Sequence, residues 1–318
     1  MYIEGKHKHT LERGWEIMKN QNFGVEIEMT GVTRETAAKV ALRHFGNTAK
    51  LTHVGGFYDE YKVTTLDGRS WKFVSDASII TKKKQGGKIV PASREYSVEL
   101  VTPILKYEDI ENLQELVRQL RHAGSLADSK YGCGIHIHVG AEKHTPATIK
   151  NLVNLMASKE DLIYKTLNID PARIKYCKKV NDSLIATINK KKPQTLQALA
   201  DIWYAGYGQE DRRRHYHNSR YQGLNLHSVF TKGTLEFRLF NSTNHAGILR
   251  SYITLCLAMS HQALVQKKAS SRRTYSDNEK YTFRCYLLRL GLIGDEFKNC
   301  RTHLLKSLDG NSAWRNAA

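Results

Sequence analysis

Four short segments of this chain alternate with period two, and on each the polar positions hold acids, histidines or arginine. In 24–29, Val25, Ile27 and Met29 point one way and Glu26 and Glu28 the other. In 94–101, Tyr96, Val98 and Leu100 oppose Glu95, Ser97 and Glu99. In 133–140, Ile135, Ile137 and Val139 oppose His136 and His138, and in 234–240 Leu235, Phe237 and Leu239 oppose Glu236 and Arg238. An antiparallel sheet with one solvated face alternates in this way as a matter of course. The choice of residue departs from that pattern, because a solvated face in a Lys-rich chain calls for Lys, Thr and Ser. A face bearing Glu26, Glu28, Glu95, Glu99 and Glu236 beside two histidines repels itself unless cations sit among them.

Carboxylate oxygens with imidazole suit hard divalent ions, Mg²⁺ or Mn²⁺, with water completing the shell. Five Glu and a His exceed the needs of one octahedral ion, so two or more ions are expected. Zn²⁺ prefers His/Cys-rich ligation, and Cys133 falls on the Ile135 side of strict alternation. Divalent ions with Arg238 close by form a set suited to handling a polyphosphate.

The rest of the chain reads as helices and hairpins around these segments. A strand is expected over 22–29, a helix over 34–45 between Thr33 and Gly46, and a hairpin over 57–75 around Asp67-Gly68. Residues 81–88 read as a basic surface loop. An amphipathic helix is marked by Ile110, Leu113, Leu116, Val117 and Leu120, and Thr145-Pro146 opens a long one. Beyond a basic mixed region at 170–193 come a helix at 194–204, a charged aromatic loop at 207–220, strands at 221–229 and 233–240, and helices at 245–266 and 281–292. The reading is one α+β domain at 21–266, with a polar lead-in at 1–20 and a helical extension at 267–318 packed on the same domain.

Lys plus Arg number 49 and Asp plus Glu 31, a formal net charge of +18. That suggests polyanionic partners such as nucleic acid, a membrane surface or phosphorylated ligands. Five cysteines without a CxxC pair argue against a disulfide framework and for a reducing cytoplasm. The first residues show no apolar signal region, and no run of about 18 apolar residues is expected to span a membrane.

The ordered set GVEIEM at 24–29, Trp71 with Asp76-Ala-Ser, VELVTPIL at 98–105, GCGIHIHVG at 132–140 and the 220–241 stretch RYQGLNLHS…GTLEFRLFN resembles the amidoligase family. That family belongs to the carboxylate–amine ligase group of glutamine synthetase and glutamate–cysteine ligase. The resemblance implies a curved antiparallel sheet forming a catalytic funnel, glutamine-synthetase-like, with helices outside. It implies ATP-dependent amide formation through an acyl phosphate, with an amino acid, peptide or protein carboxylate plus an amine as substrates. It places Glu28 and Glu99 on one ion, helped by Glu95 or Asp76, and Glu26, His136 and Glu236 on another. His138 then contacts ATP phosphate, and Arg238 steadies the transferring phosphoryl group or the substrate carboxylate. Asp76 is the candidate acceptor of the amine's proton.

Of the basic loop at 207–220, Arg220 is the best placed to clamp ATP phosphates because it leads into the next strand, and Asn225 is expected to line the pocket. The Lys82–84 and Lys190–192 runs read as solvated, and no membrane partner is expected. Two other functions fit parts of the pattern. A metal-dependent nuclease or phosphohydrolase would also use Glu/His clusters and would cleave without consuming ATP. A non-catalytic nucleic-acid binder would need the basic charge but not an intact set of acids. Because the acids gather on one face, the excess base is expected as a shell around it, and nucleic acid is not the favoured partner.

Overall fold

A computed structural model describes residues 16–208 and 210–314. The polar lead-in expected at 1–20 therefore lies mostly outside the described residues. The strands in chain order are β1 (Phe23–Met29), β2 (Lys50–Gly55), β3 (Glu60–Thr64), β4 (Ser70–Val74), β5 (Lys82–Gln85), β6 (Lys88–Pro91), β7 (Val98–Val101), β8 (Gly134–Gly140), β9 (Leu224–Asn225) and β10 (Thr234–Asn241). Eight of them form one open sheet in the order β2-β3-β4-β7-β1-β8-β10-β9, antiparallel at every pairing.

The helices are α1 (Arg34–Phe45), α2 (Ile110–His122), α3 (Pro146–Thr166), α4 (Asp182–Lys191), α5 (Leu196–Tyr204), α6 (His227–Lys232), α7 (Ala246–Val265), α8 (Glu279–Arg289) and α9 (Lys298–Leu305). The alternation sorts the sheet as expected: Val25, Ile27, Val98, Leu100, Ile135, Ile137, Leu235 and Phe237 all enter one apolar cluster. α1 covers β2, β3 and β4, while α7 packs against β8 and is flanked by α2, α3 and α9. The caps are those the residue types call for. Thr33 accepts the Thr36 amide and Gly46 ends α1 at φ 78°; Thr145 caps α3 with Pro146 behind it. The result is α+β with an antiparallel sheet.

Several expected elements are corrected. The 81–88 loop is the β5–β6 hairpin, turned at Gly86-Gly87 with φ of 55° and 76°, the backbone that a two-residue turn demands. The 94–101 strand begins only at Val98. Arg34, buried on α1, takes the carbonyls of Arg94 and Ser97 at 2.7 and 2.8 Å and holds 94–96 in a 3-10 turn. The 221–229 strand is the two-residue β9 followed by α6, because the Asn225 side chain accepts the His227 amide at 2.9 Å and turns the chain into a helix. The mixed 170–193 region contains a 3-10 turn, Pro171–Arg173, and α4; α9 has no counterpart in the sequence reading. α7 is long and apolar enough to cross a membrane by length and composition, although Arg250, Ser251, Ser260, His261 and Gln262 interrupt its apolar residues. Its most apolar window is 72% buried inside the molecule, the position of a core helix.

Glu160 on α3 is fully buried; burial pushes its carboxyl up to about 7 against the Val180 amide at 2.8 Å and Arg273 at 3.9 Å. A folded value above the unfolded one favours folding below the unfolded pKa and loses that advantage as pH rises through 7. Glu160→Gln keeps an acceptor for Val180. It is expected to raise stability at pH 8 by on the order of 2 kcal/mol and to change little at pH 4.5. Thermal unfolding across pH checks this, and a variant less stable than wild type at pH 8 contradicts it.

Candidate active site

The four central strands β7, β1, β8 and β10 stand side by side, and their register sets the polar residues opposite one another. Glu28 faces Glu99, Glu26 faces His136, Glu236 faces His138 on one side and Asn225 on the other. His136 Nδ1 lies 3.0 Å from Glu26 Oε2, and its Nε2 lies 3.9 Å from Glu28 Oε1. His138 Nε2 lies 3.2 Å from Glu26 and 4.0 Å from Glu236. Two groups have ligand atoms close enough to share an ion: Glu26, His136 and Glu236, with each pair of atoms within 4.8 Å, and Glu28, Glu99 and His136 likewise. His136 belongs to both.

Electrostatics divides the acids. Burial, joined by the charge of Asp76, pushes Glu28 up to about 7 against Arg173 and the Gly134 amide at 2.6 Å. Burial beside Glu26, Glu28 and Asp76 raises Glu99 well above the usual carboxylate range. Burial alone would also raise Glu26, but the charge of His138 and hydrogen bonds from both histidines hold it well below. Glu236 overcomes its burial through Arg238 and His138 and lies at about 2. Burial, with Arg238 nearby, lowers His136 to about 4, so its ring is neutral and has a lone pair to offer.

The cluster sits where two cavities meet. The larger, about 870 Å³, runs past Glu28, Glu99, Asp76, Arg94, Arg173, Arg220 and Arg238. The smaller, about 330 Å³, is lined by Phe23, Val25, Pro103 and Ile104 and has His138 at one end. Glu26, Val101 and Lys232 belong to both walls.

The other expected residues fall in different places. Asp76 lines the larger cavity, its Oδ1 accepting the Ser78 amide at 2.6 Å. Glu95 does not join the cluster: it is exposed on the 3-10 turn and bonds Ser93 at 2.9 Å. Arg220 lines the larger cavity and lies over the Tyr216 ring, whereas Arg212 pairs with Asp201 and Arg213 is in solvent. Asn225 is buried with both ends of its amide occupied, donating to Glu236 at 2.8 Å and accepting from His227. It therefore positions Glu236, and at 1% exposed it does not reach into a cavity to meet a nucleotide. His227, inside the strand expected at 221–229, opens α6 instead.

Arg173 is the residue that sequence reasoning missed. It is 3% exposed, donates one long bond to the Arg238 carbonyl at 3.4 Å, and leaves its Nε without a partner. Arg238 pairs with Glu236 through one nitrogen and likewise leaves its Nε unpartnered. The signal for Arg173 lay in GCG. A Cβ on Gly134 would come within 2.3 Å of three Arg173 guanidinium atoms, so the glycine makes room for the cation. Gly132 has φ of 74°, and a Cβ there would lie 2.7 Å from the Ser78 carbonyl oxygen. Gly132→Ala is expected to cost about 2 kcal/mol or more in urea unfolding. An unchanged midpoint would remove the constraint.

The family model described as "Putative amidoligase enzyme" matches residues 19–260. The chain belongs to the amidoligase family. Every residue of both ligand groups, with Arg173 and Arg238, lies inside the matched span. No curated protein matches the chain. Among solved structures, it is similar to a bifunctional glutathione synthetase from Pasteurella multocida, with TM-score 0.43 and 11% identity. That likeness covers 94% of this chain, which spans about half (48%) of the synthetase chain, and is too loose to carry fold or activity across. Membership in the amidoligase family supports an amide-bond ligase.

Proposed function

We propose that this amidoligase is an ATP-dependent carboxylate–amine ligase working with two divalent ions, Mg²⁺ or Mn²⁺, in a glutamine-synthetase-like funnel whose wall is the central sheet. One observation carries the proposal: two ligand groups sharing His136, flanked by two buried guanidiniums with unpartnered nitrogens, where two cavities join. The donors fit such ions, being oxygen-rich with one neutral imidazole, and burial with neighbouring carboxylates pushes Glu28 and Glu99 up, which Arg173 and Arg238 offset only in part. Glu28 and Glu99 would hold one ion, and Glu26, His136 and Glu236 the other, since a neutral imidazole has one lone pair to give. Bound there, the ions would neutralise the charge of a polyphosphate.

The smaller, largely apolar cavity suits the nucleotide, with its phosphates toward His138 and Glu26. The larger one suits the carboxylate and the amine. Arg238, fixed by Glu236, steadies the transferring phosphoryl group, and Arg220 meets phosphate from the loop. A carboxylate oxygen takes the γ-phosphoryl group, giving an acyl phosphate and ADP; the amine then displaces phosphate and leaves an amide. Asp76 accepts the proton the ammonium must lose.

Residues 21–266 form the catalytic unit and 267–318 an extension on it. An amino acid, peptide or protein supplies the carboxylate. The reaction belongs in the cytoplasm, where the unpaired thiols stay reduced. Neither a membrane nor a nucleic acid is required. The test is ADP release with Mg²⁺ or Mn²⁺ across pools of carboxylates and amines. Release that needs both pools supports the ligase; nucleic-acid cleavage without ATP would support a nuclease instead.

A further inference from the structure

On the helical side of the sheet, α2, α7 and α9 enclose a third cavity of about 610 Å³, away from both ligand groups. Arg118 and Arg121 enter it from α2, Arg250 from α7, and His245 and His303 close its end. Glu296 is the one acid among the lining residues. Lys19 pairs with it at 2.9 Å and the Tyr107 hydroxyl donates to it at 3.0 Å. Arg118 pairs with the exposed Glu115 at 3.0 Å; Arg250 pairs with the exposed Glu111 at 3.6 Å and donates to the buried Gln114 Oε1 at 3.5 Å. Arg121 has no acidic partner among the described residues. The wall thus sets three guanidiniums against one acid, Glu296, which is already paired with Lys19.

α7 starts at this cavity. His245 caps it, its ring accepting the Ile248 amide at 3.2 Å, and the amides of Ala246 and Gly247 have no intrahelical acceptor. Gly247 allows a close approach, since a Cβ there would lie 2.9 Å from His303 Nε2. An independent observation comes from further along the same face. Thr254 is 1% exposed and lines the cavity, yet its hydroxyl has no partner. A helical threonine ordinarily returns its hydroxyl to the carbonyl four residues back, as Ser251 does to Gly247 at 2.8 Å.

We propose that this cavity is a second ligand site, for a small molecule bearing a phosphoryl group. Three guanidinium forks, three imidazoles (His122, His245 and His303), two helix-start amides and a buried hydroxyl outnumber what a single carboxylate can accept. A tetrahedral oxyanion with three or four free oxygens can use them, and helix starts with arginine forks favour it. The volume lies in the range of small-ligand pockets and leaves room for an organic group beyond the phosphoryl. Because α7 packs on β8, whose opposite face carries His136 and His138, occupancy bears on the helix that supports the metal strand.

The test is calorimetric titration of the full chain with inorganic phosphate and with glycerol phosphate at constant ionic strength. Saturable binding is expected, weakened about tenfold or more by Arg121→Gln/Arg250→Gln, the loss expected for charge-assisted bonds. Thr254→Val, which keeps the volume, is expected to weaken binding several-fold and carries the test if the double variant does not fold. Arg173→Met in the front cluster is expected to leave this binding unchanged. Binding lost in Arg173→Met but kept in the back variants, or no saturable binding at all, overturns the proposal. Neither result touches the ligase reading, which is tested by ADP release.

Discussion

Glu28→Gln is expected to leave the ion-free protein at least as stable as wild type and to diminish the rise in melting temperature that Mg²⁺ or Mn²⁺ gives, the group of Glu26, His136 and Glu236 remaining. Glu28 lies at about 7 in the folded chain because it is buried near Asp76. Its ionised form therefore opposes folding above that pH, and a neutral amide that still accepts the Gly134 N–H removes the opposition. Glu236→Gln should behave oppositely. Glu236 is held at about 2 by Arg238, so its charge supports folding above the unfolded carboxylate range, and that support fades as pH falls toward 2. Removing it strands a buried guanidinium, at a cost of about 3 kcal/mol. Both variants should lose about 10³-fold or more in nucleotide turnover, the scale of losing a preorganised charge partner. Melting curves with and without Mn²⁺ separate the two. An undiminished ion-dependent rise in Glu28→Gln, or a Glu236→Gln protein as stable as wild type, would contradict the assignment.

The second large effect concerns Arg173. Arg173→Lys removes the fork but keeps a charge, and Gly134→Ala drives the guanidinium from its place by the close approach at Gly134. Each is expected to lower kcat/KM by about 10²-fold, with ion-induced stabilisation intact. If both act through the position of one guanidinium, the double variant is no worse than the poorer single. Additive losses in that cycle would mean that Gly134 acts by another route.

What was legible in the sequence and what was not divides along a physical line. Period-two alternation located β1, β8 and β10 and placed Glu26, Glu28, His136, His138, Glu236 and Arg238 on one face, since local sterics alone set that face. Register was not legible; it is what brings Glu28 against Glu99 and Glu26 against His136, and it depends on strands far apart in the chain. Glu95 was misplaced for the same reason, because Arg34 from a distant helix holds 94–96 out of the ladder. Asn225 was read as a pocket-lining residue and not as the holder of Glu236, a role created by the turn into α6. Arg173 lay in a mixed stretch with no period, and its only trace was a glycine in another segment. The net charge of +18 first pointed to nucleic acid. A group of acids, Glu26, Glu28, Asp76 and Glu99, lines the larger cavity, while Lys82, Lys83 and Lys84 stand on the β5–β6 hairpin.

Both carboxylate oxygens of the acid substrate can be labelled with ¹⁸O before a turnover with ATP, amine and Mn²⁺. Acyl-phosphate formation followed by attack of the amine transfers one labelled oxygen to each phosphate released, one for each amide formed. Phosphate whose new oxygen comes from water, or amide formation without label in the phosphate, would contradict the carboxylate–amine ligase reading.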